Sequence, residues 1–163
     1  MKIISGGQTG VDRAALDVAI ERGIEWGGWC PKGGWAEDHT IPPGLLTKYP
    51  HLNETPLPNP LQRTEWNVRD SDAALIITDS QGLSVTIGTQ RAHNWARKHG
   101  KPELIAHVDD ANVAIEAAAW LRVQQQRFGR DMTLSIGGPR ESEAPGIYLE
   151  AKRLIVEILD LVG

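Results

Sequence analysis

The first candidate for chemistry is a glycine-rich turn near the start of the chain, where residues 5–10 read Ser-Gly-Gly-Gln-Thr-Gly and Arg13 follows. Paired glycines let a backbone approach an anion closely, and the free amides of a following helix add donors and a partial positive charge. An arginine in a first helical turn opposes the helix dipole unless it faces an anion. The run lacks the Gly-Lys-Ser/Thr ending of a P-loop and the Gly-x-Gly-x-x-Gly spacing of dinucleotide-binding folds. We therefore expect a different kind of anion cradle, and a plain tight turn is the alternative.

Two later loops repeat parts of this chemistry. Residues 84–89, Ser-Val-Thr-Ile-Gly-Thr, offer hydroxyls and a glycine before a helix, and capping of that helix by a hydroxyl is the plainer interpretation. Residues 137–142 join two glycines to Arg140, whose guanidinium can hold an oxyanion through two hydrogen bonds. For this loop the alternative is a turn that caps the last helix.

A fourth loop, residues 30–34, places Lys32 after a strand and shortly before Glu37 and Asp38. In the functional interpretation, Lys32 binds a phosphate, and Glu37 or Asp38 binds a ribose, a pterin edge or a metal. A solvated charge pair is the alternative.

A polar face is expected on a short helix over residues 61–69. At helical spacing Arg63, Asn67 and Asp70 fall on one side. That side either projects toward the ligand edge of the sheet or forms a polar surface, and the spacing leaves both open.

Composition restricts the class of protein. The 163 residues, 40% of them hydrophobic, suffice for one compact core, and a net charge of −4 argues against broad nucleic-acid binding. Cys30 is the only cysteine, the five histidines show no zinc-ligand spacing, and no apolar run reaches the roughly 18 residues of a membrane span. We therefore expect a cytoplasmic protein without a metal site. The six tryptophans are expected mainly to pack, with ligand stacking as the alternative for Trp29 and Trp35.

Strand-like and helix-like segments alternate along the chain. Strands are expected near residues 2–5, 26–30, 73–78, 104–108 and 132–136, and helices near residues 11–22, 61–69, 89–99, 112–126 and 148–161. This alternation predicts a single domain, residues 1–163, with a three-layer, Rossmann-like, doubly wound α/β fold and a mostly parallel sheet. Residues 31–60, rich in Pro and Gly, are expected to form a functional loop or lid, or alternatively a surface wrap that shields a sheet edge. Ligands of such sheets gather beyond the carboxyl ends of the strands, where the four loops belong.

Several segments together resemble the putative molybdenum cofactor carrier family, and the match spans nearly the whole chain. They are residues 4–17, 28–33, 36–38, 63–72 and 137–142. The resemblance implies a Rossmann-like relative of the lysine-decarboxylase-like Lonely Guy nucleotide hydrolases, and a ligand such as molybdopterin that carries a phosphate and a pterin. It also implies a molybdoenzyme as partner. Carried over by motif, the ligand-binding positions are Gly6, Gly7, Gln8, Thr9, Gly10, Arg13, Lys32, Glu37, Gly88, Thr89, Gly138 and Arg140.

The sequence departs from these relatives after the central strand. The related hydrolases carry Pro-Gly-Gly-x-Gly-Thr-x-x-Glu there, whereas here Gly88 and Thr89 are followed by Gln-Arg-Ala. Without that glutamate the hydrolase chemistry loses its expected acid or base, although Glu37 or Asp72 is available from another loop.

Three functions follow as hypotheses. The first is a carrier that rests a phosphate on the Gly6–Gly7 loop and pairs a pterin edge with Glu37. The second is a hydrolase of the N-glycosidic bond of nucleoside 5′-monophosphates. The third is a sensor of nucleotide derivatives that acts as a homo-oligomer through an apolar stripe on the closing helix, for which ordinary core is the plainer interpretation. That stripe consists of Tyr148, Ile155, Ile158, Leu159 and Val162.

Overall fold

The computed structural model describes residues 1–82 and 86–163. Its strands are β1 (Lys2–Ile4), β2 (Glu25–Cys30), β3 (Leu52–Glu54), β4 (Ala73–Thr78), β5 (Glu103–His107) and β6 (Thr133–Gly137). They form one six-stranded sheet in the order β3-β2-β1-β6-β4-β5, and every paired strand runs parallel to its neighbour. All residues of the inner strand β4 are buried, which is typical of a parallel sheet covered on both faces.

Helices cover both faces of this sheet. They are α1 (Val11–Glu21), α2 (Pro60–Arg69), α3 (Ile87–Lys98), α4 (Val113–Phe128) and α5 (Ile147–Val162). Side chains alternate across β4, so Leu75 and Ile77 join a cluster with α1, α4 and α5, while Ala74 and Ile76 pack with α2 and α3. The predicted three-layer, Rossmann-like fold is confirmed, and the sheet is parallel throughout.

Two helices have side-chain caps near the carboxyl ends of the strands. Asn59 Oδ1 accepts a hydrogen bond from Leu61 N at 2.9 Å, and Pro60 occupies the first position of α2. Thr86 Oγ1 accepts from Thr89 N at 3.0 Å and caps α3. These caps fix where α2 and α3 begin.

Residues 31–60 contain two elements absent from the sequence prediction, β3 and a short 3-10 helix, Gly44–Thr47. Leu45 and Tyr49 are fully buried in a cluster with Leu16 of α1 and Cys30 of β2. β3 has only three residues, which is too short for an alternating pattern to stand out. The segment covers one edge of the sheet with a small core.

The apolar stripe of α5 belongs to the main core. Ile155 and Ile158 are 1% and 2% exposed, and Tyr148, Leu159 and Val162 pack against the same cluster. The stripe therefore packs against α1 and α4 of its own chain, which is the plainer interpretation, and a homo-oligomer stays a prediction. Within the described residues, no helix combines the length and apolarity needed to cross a membrane.

Candidate functional site

A cleft of about 580 Å³ lies at the carboxyl ends of the central strands. β1 leads to β2 on one side of it, and β4 leads to β5 on the other, so the strand order reverses there. Open parallel sheets bind ligands at such reversals, and the volume lies in the range of about 300–1,000 Å³ usual for ligand pockets. The loops after β1 and β6 and the N-terminal part of α3 all line the cleft.

The predicted ligand residues divide among three cavities. The cleft contains Gly6, Gln8, Gly88, Gly138 and Arg140. A depression behind the first loop contains Thr9, Gly10 and Arg13. Lys32 lines a third depression. Gly7, Glu37 and Thr89 are outside the lining of these cavities in the described part of the chain. Ligand binding by all of these residues stays a prediction.

Gly10 allows the first and third loops to touch, and Gly138 allows the third loop to lie against β4. A Cβ on Gly10 would lie 2.3 Å from Pro139 O, and a Cβ on Gly138 would lie 2.1 Å from Ile77 O. Val11 N, at the start of α1, donates to Pro139 O at 3.2 Å. Close backbone contact therefore explains these two glycines, and the first amide of α1 is already hydrogen-bonded.

Arg63 lies over Gly6. A Cβ on Gly6 would lie 2.0 Å from Arg63 Nη1, and the same nitrogen donates to Asp12 Oδ2 at 2.5 Å. The Arg63 and Asp12 side chains are 13% and 5% exposed. Arg63 Nε is buried without a hydrogen-bond acceptor among the described residues. A guanidinium from α2 thus fills the space beside Gly6 where the sequence predicts an anion.

The polar side of α2 lines the cleft in part and contacts β2 in part. Arg63 and Asn67 line the cleft. Asn67 also fastens α2 to β2, because its Nδ2 donates to Trp29 O at 2.9 Å and its Oδ1 accepts from Trp29 N at 2.8 Å. Asp70 is not in the lining and accepts from Trp29 Nε1 at 2.8 Å. Trp29 packs edge-on against Trp66, so its role is packing.

Arg13 holds the first loop from behind. Its Nε donates to Gly7 O at 3.0 Å, and Nη1 and Nη2 donate to the two oxygens of Asp38 at 2.9 Å each. These hydrogen bonds from Arg13 hold the pKa of Asp38 well below its usual range, although burial opposes the shift. Burial also lowers the pKa of Arg13, but the hydrogen bond and charge of Asp38 outweigh it and raise that pKa. The guanidinium is thus engaged by the protein itself.

Glu37 joins the first loop to the loop after β6. It accepts from Thr9 Oγ1, and from Ser142 Oγ at 2.6 Å. Thr9 Oγ1 in turn accepts from Glu141 N at 3.2 Å, and Gln8 Oε1 accepts from Glu37 N at 3.0 Å. Burial raises the pKa of Glu37, but the hydrogen bonds from Ser142 and Thr9 outweigh burial and lower it. Glu37 therefore remains ionised and connects the loops.

The start of α3 contains a cation that the sequence prediction missed. Thr89 N donates to the Thr86 cap, whereas Gly88 faces the cleft, and a Cβ on it would meet no atom of the described residues within 4 Å. Arg91 lies one turn further along and lines the same cleft. Arg91 forms no ion pair or hydrogen bond with a described residue. Its spacing of three residues from Gly88 at a helix N-terminus was the signal that could have found it. The first two positions of this predicted loop, residues 84 and 85, lie outside the described residues.

Arg140 lies where the cleft meets the depression that contains Lys32. Its Nε is 3.4 Å from Glu143 Oε1, and its guanidinium is 5.9 Å from the centre of the Trp35 ring. Glu143 also lines the cleft. Arg140 therefore forms an ion pair with the neighbouring carboxylate of Glu143.

Metal-binding groups do not gather in the described ranges. Residues 1–82 and 86–163 contain no cluster of three or more His, Cys, Asp or Glu side chains able to hold a metal ion. Burial, with a contribution from Glu54, raises the pKa of Cys30 to about 11, so its thiol stays protonated near neutral pH.

Comparison with known proteins gives one family and one close structural relative. The model of the family described as "Circularly permutated YpsA SLOG family" matches residues 3–159. The crystal structure of a "Putative molybdenum carrier protein" from Syntrophus aciditrophicus is 36% identical in sequence, with a TM-score of 0.80. The match covers 99% of this chain and 93% of that one. No curated protein matches the chain.

Proposed function

Since this chain belongs to the circularly permutated YpsA SLOG family, we propose that it is a carrier whose cleft binds a phosphate-bearing planar heterocycle of the molybdenum cofactor type. The observation that carries the proposal is Arg91, which has no ion pair with a described residue, beside the N-terminus of α3 in a cleft that also has apolar walls and a buried carboxylate. Such a cleft suits a ligand that is anionic at one end and planar with a polar edge at the other.

The phosphate end is assigned to Gly88 and Arg91. Amides in the first turn of a helix have no partner within that helix, and the dipole favours an anion there. No described atom lies within 4 Å of a Cβ on Gly88, and Arg91, which has no partner among the described residues, can form charge-assisted hydrogen bonds with phosphate oxygens. The Gly6 loop contributes through Arg63, which lies over it.

The ring end is assigned to the apolar side chains of Leu61, Ile87 and Ile136 and to the carboxylate of Asp12. Asp12 Oδ2 is bound by Arg63, while Oδ1 receives no hydrogen bond from a described residue. An ionised carboxylate accepts hydrogen bonds, as the N–H edge of a pterin or a guanine requires.

The donor set fits the organic part of such a cofactor. The described lining of the cleft includes neither Cys nor His, the side chains that most transition metals prefer. The residues of this chain would hold the phosphate and orient the pterin, and molybdenum would be carried by groups of the ligand itself.

The ion pairs and hydrogen bonds of the carboxylates favour a carrier function over catalysis. Asp12 is paired with Arg63, Glu143 with Arg140, and Glu37 is held by hydroxyl groups. Against the effect of burial, hydrogen bonds from Ser142 and Thr9 lower the pKa of Glu37, and a carboxylate with a lowered pKa is a weak proton acceptor. Binding and release need no such acceptor.

Calorimetric titration tests the carrier proposal. Molybdenum cofactor released from a molybdoenzyme, FMN, AMP and GMP are titrated without oxygen, with inorganic phosphate and molybdate as comparisons. Arg91→Ala is expected to weaken binding about tenfold, because a hydrogen bond to a charged group contributes about 1.5–3 kcal/mol. Arg97→Ala, on the exposed last turn of the same helix, is the matched control. Saturable binding of none of the four ligands, or an equal loss in both variants, contradicts the proposal.

Delivery is the second half of a carrier function. We propose a molybdoenzyme as the recipient, so loaded protein should restore activity to an apo-molybdoenzyme faster than free cofactor does. Equal rates with and without this protein would contradict delivery while leaving binding intact.

A second candidate function is cleavage of the N-glycosidic bond of a nucleoside 5′-monophosphate. It is favoured by one observation, that Asp12 Oδ1 within the cleft accepts no hydrogen bond from a described residue, since a carboxylate can act as acid or base. Release of free base from AMP or GMP that is lost in Asp12→Asn, under conditions where thermal unfolding shows the variant to be folded, would support it. No release by the wild-type protein rejects it.

A further inference from the structure

A second depression, of about 350 Å³, opens beside the cleft. Trp35, Lys32, Thr40 and three prolines line it, and we call it the Trp35 depression. Pro60 belongs to the lining of both cavities. Arg140, a cleft residue, has its guanidinium 5.9 Å from the centre of the Trp35 ring. Pro60 therefore forms part of the wall of both cavities, and the Arg140 guanidinium lies near both.

The walls of the Trp35 depression are fixed by backbone hydrogen bonds. Gly33 N donates to Glu54 Oε1 at 2.6 Å, and Lys32 N donates to Leu57 O at 3.3 Å. Leu45 N donates to Gly34 O at 2.8 Å, which ties the residue before Trp35 to the buried 3-10 helix. The half-buried Trp35 ring is thus presented by a preformed loop.

The side chains of this depression suit a second planar ring that is attached to the first through phosphate groups. Indole rings and prolines offer flat apolar surfaces on which a heterocycle stacks, and base stacking on an aromatic side chain is sequence-tolerant. Lys32 is exposed and forms no ion pair with a described residue. Lys32 and Arg140 together supply positive charge for a pyrophosphate, whose two negative charges are spread over two phosphates.

We propose that a ligand with two ring systems joined by a pyrophosphate spans the cleft and the Trp35 depression. This inference rests on the function proposed for the cleft, which takes the first ring. The second heterocycle stacks on Trp35, and Arg140 and Lys32 bind the phosphate next to it, while Gly88 and Arg91 keep the phosphate of the first ring. The cleft ligand is then of the dinucleotide class, a nucleoside monophosphate being attached to the phosphate of the first ring.

A matched pair of probes tests the inference by calorimetry. FMN carries one planar ring and one phosphate, and FAD is the same molecule with AMP attached through a pyrophosphate. Wild-type protein is expected to bind FAD about tenfold more tightly than FMN, because stacking contributes about 1–3 kcal/mol per base. Trp35→Ala and Lys32→Ala should remove that advantage while leaving FMN affinity within about twofold.

Two controls keep the result interpretable. Trp35→Phe retains a stacking ring and should keep most of the FAD advantage, and thermal unfolding of each variant reports whether it folds. Lys48→Ala removes an exposed lysine from the depression behind the first loop and should change neither affinity.

The outcomes separate the two proposals. Equal affinities for FMN and FAD in the wild type, or equal losses of both in Trp35→Ala and Lys32→Ala, overturn the spanning ligand and leave the cleft function standing. Binding of neither FMN nor FAD to the wild type overturns the spanning ligand together with the function on which it rests.

Discussion

Arg63 Nη1 lies 2.5 Å from Asp12 Oδ2, directly beside Gly6, where a Cβ would approach the same nitrogen to 2.0 Å. Helix α2 thereby supplies the loop after β1 with a cation from a residue 51 positions away. Because both side chains are largely buried, the Arg63–Asp12 ion pair influences both the charge of the cleft and the stability of the loop beneath it.

Gly6→Ala and Gly10→Ala should differ in their effects on the free energy of unfolding. The added Cβ of Gly6→Ala meets the flexible end of Arg63, which can move away at the expense of its pairing with Asp12. The Cβ of Gly10→Ala meets backbone at Pro139 O, at a φ of 77° that disfavours alanine. We expect a loss of about 1–3 kcal/mol for Gly6→Ala and a larger one for Gly10→Ala. Urea denaturation measures both, and the reverse order would contradict this arrangement.

Asp12→Asn should destabilise the protein because it leaves the Arg63 guanidinium buried beside a neutral group. Breaking one side of a buried ion pair typically costs about 3–5 kcal/mol, and the partial exposure of Arg63 places this case at the lower end. Adding Arg63→Met should recover part of the loss, since no unpaired charge then remains. A double-mutant cycle by urea denaturation measures the coupling, and additive losses would contradict it.

The Arg13–Asp38 pair should make stability fall in acid. The pKa of Asp38 is lowered in the folded protein by hydrogen bonds from Arg13, so its contribution is complete above the unfolded pKa of about 3.9 and is lost as pH falls through the folded pKa. Asp38→Asn should lower stability at pH 6 and flatten the decline below pH ~4. The effect will be modest because the Asp38 side chain is 42% exposed.

Denaturation midpoints at pH 6 and pH ~3 measure this prediction. Asp109→Asn changes an exposed carboxylate without an ion pair to a described residue and serves as the control. An equal acid decline in both variants would mean that Arg13 does not stabilise the folded state through Asp38.

Glu143→Gln should strengthen the binding of phosphate-bearing ligands. Glu143 Oε1 lies 3.4 Å from Arg140 Nε, so its carboxylate competes with any phosphate for the guanidinium. Removal of one partly exposed negative charge should raise affinity for the FAD probe, whose second phosphate is assigned to Arg140, by about two- to fivefold, in keeping with about 0.2–1 kcal/mol for such pairs. Glu150→Gln, an exposed change of the same charge on α5, is the control. Unchanged or weaker binding in Glu143→Gln would remove Arg140 from the ligand site.

Much of the fold could be predicted from the sequence because the inner strands and most helices carry strong local patterns. β4 is an unbroken apolar run that is buried at every position, and α5 has an apolar face that packs into the core. β3 could not be predicted, because a three-residue edge strand depends on pairing with β2 rather than on its own residues.

The candidate site was likewise predictable from the sequence only in part. The sequence by itself determined which loops lie at the ligand edge, since strand polarity sends the glycine-rich turns after β1 and β6 to the same side of the sheet. Only the tertiary structure decided which arginine faces the cleft. Arg13 turns to Asp38 behind the loop, whereas Arg63 and Arg91 arrive from α2 and α3. The physical reason is that a turn is specified by its own glycines, but the direction of a charged side chain is set by the partner that packing brings within reach.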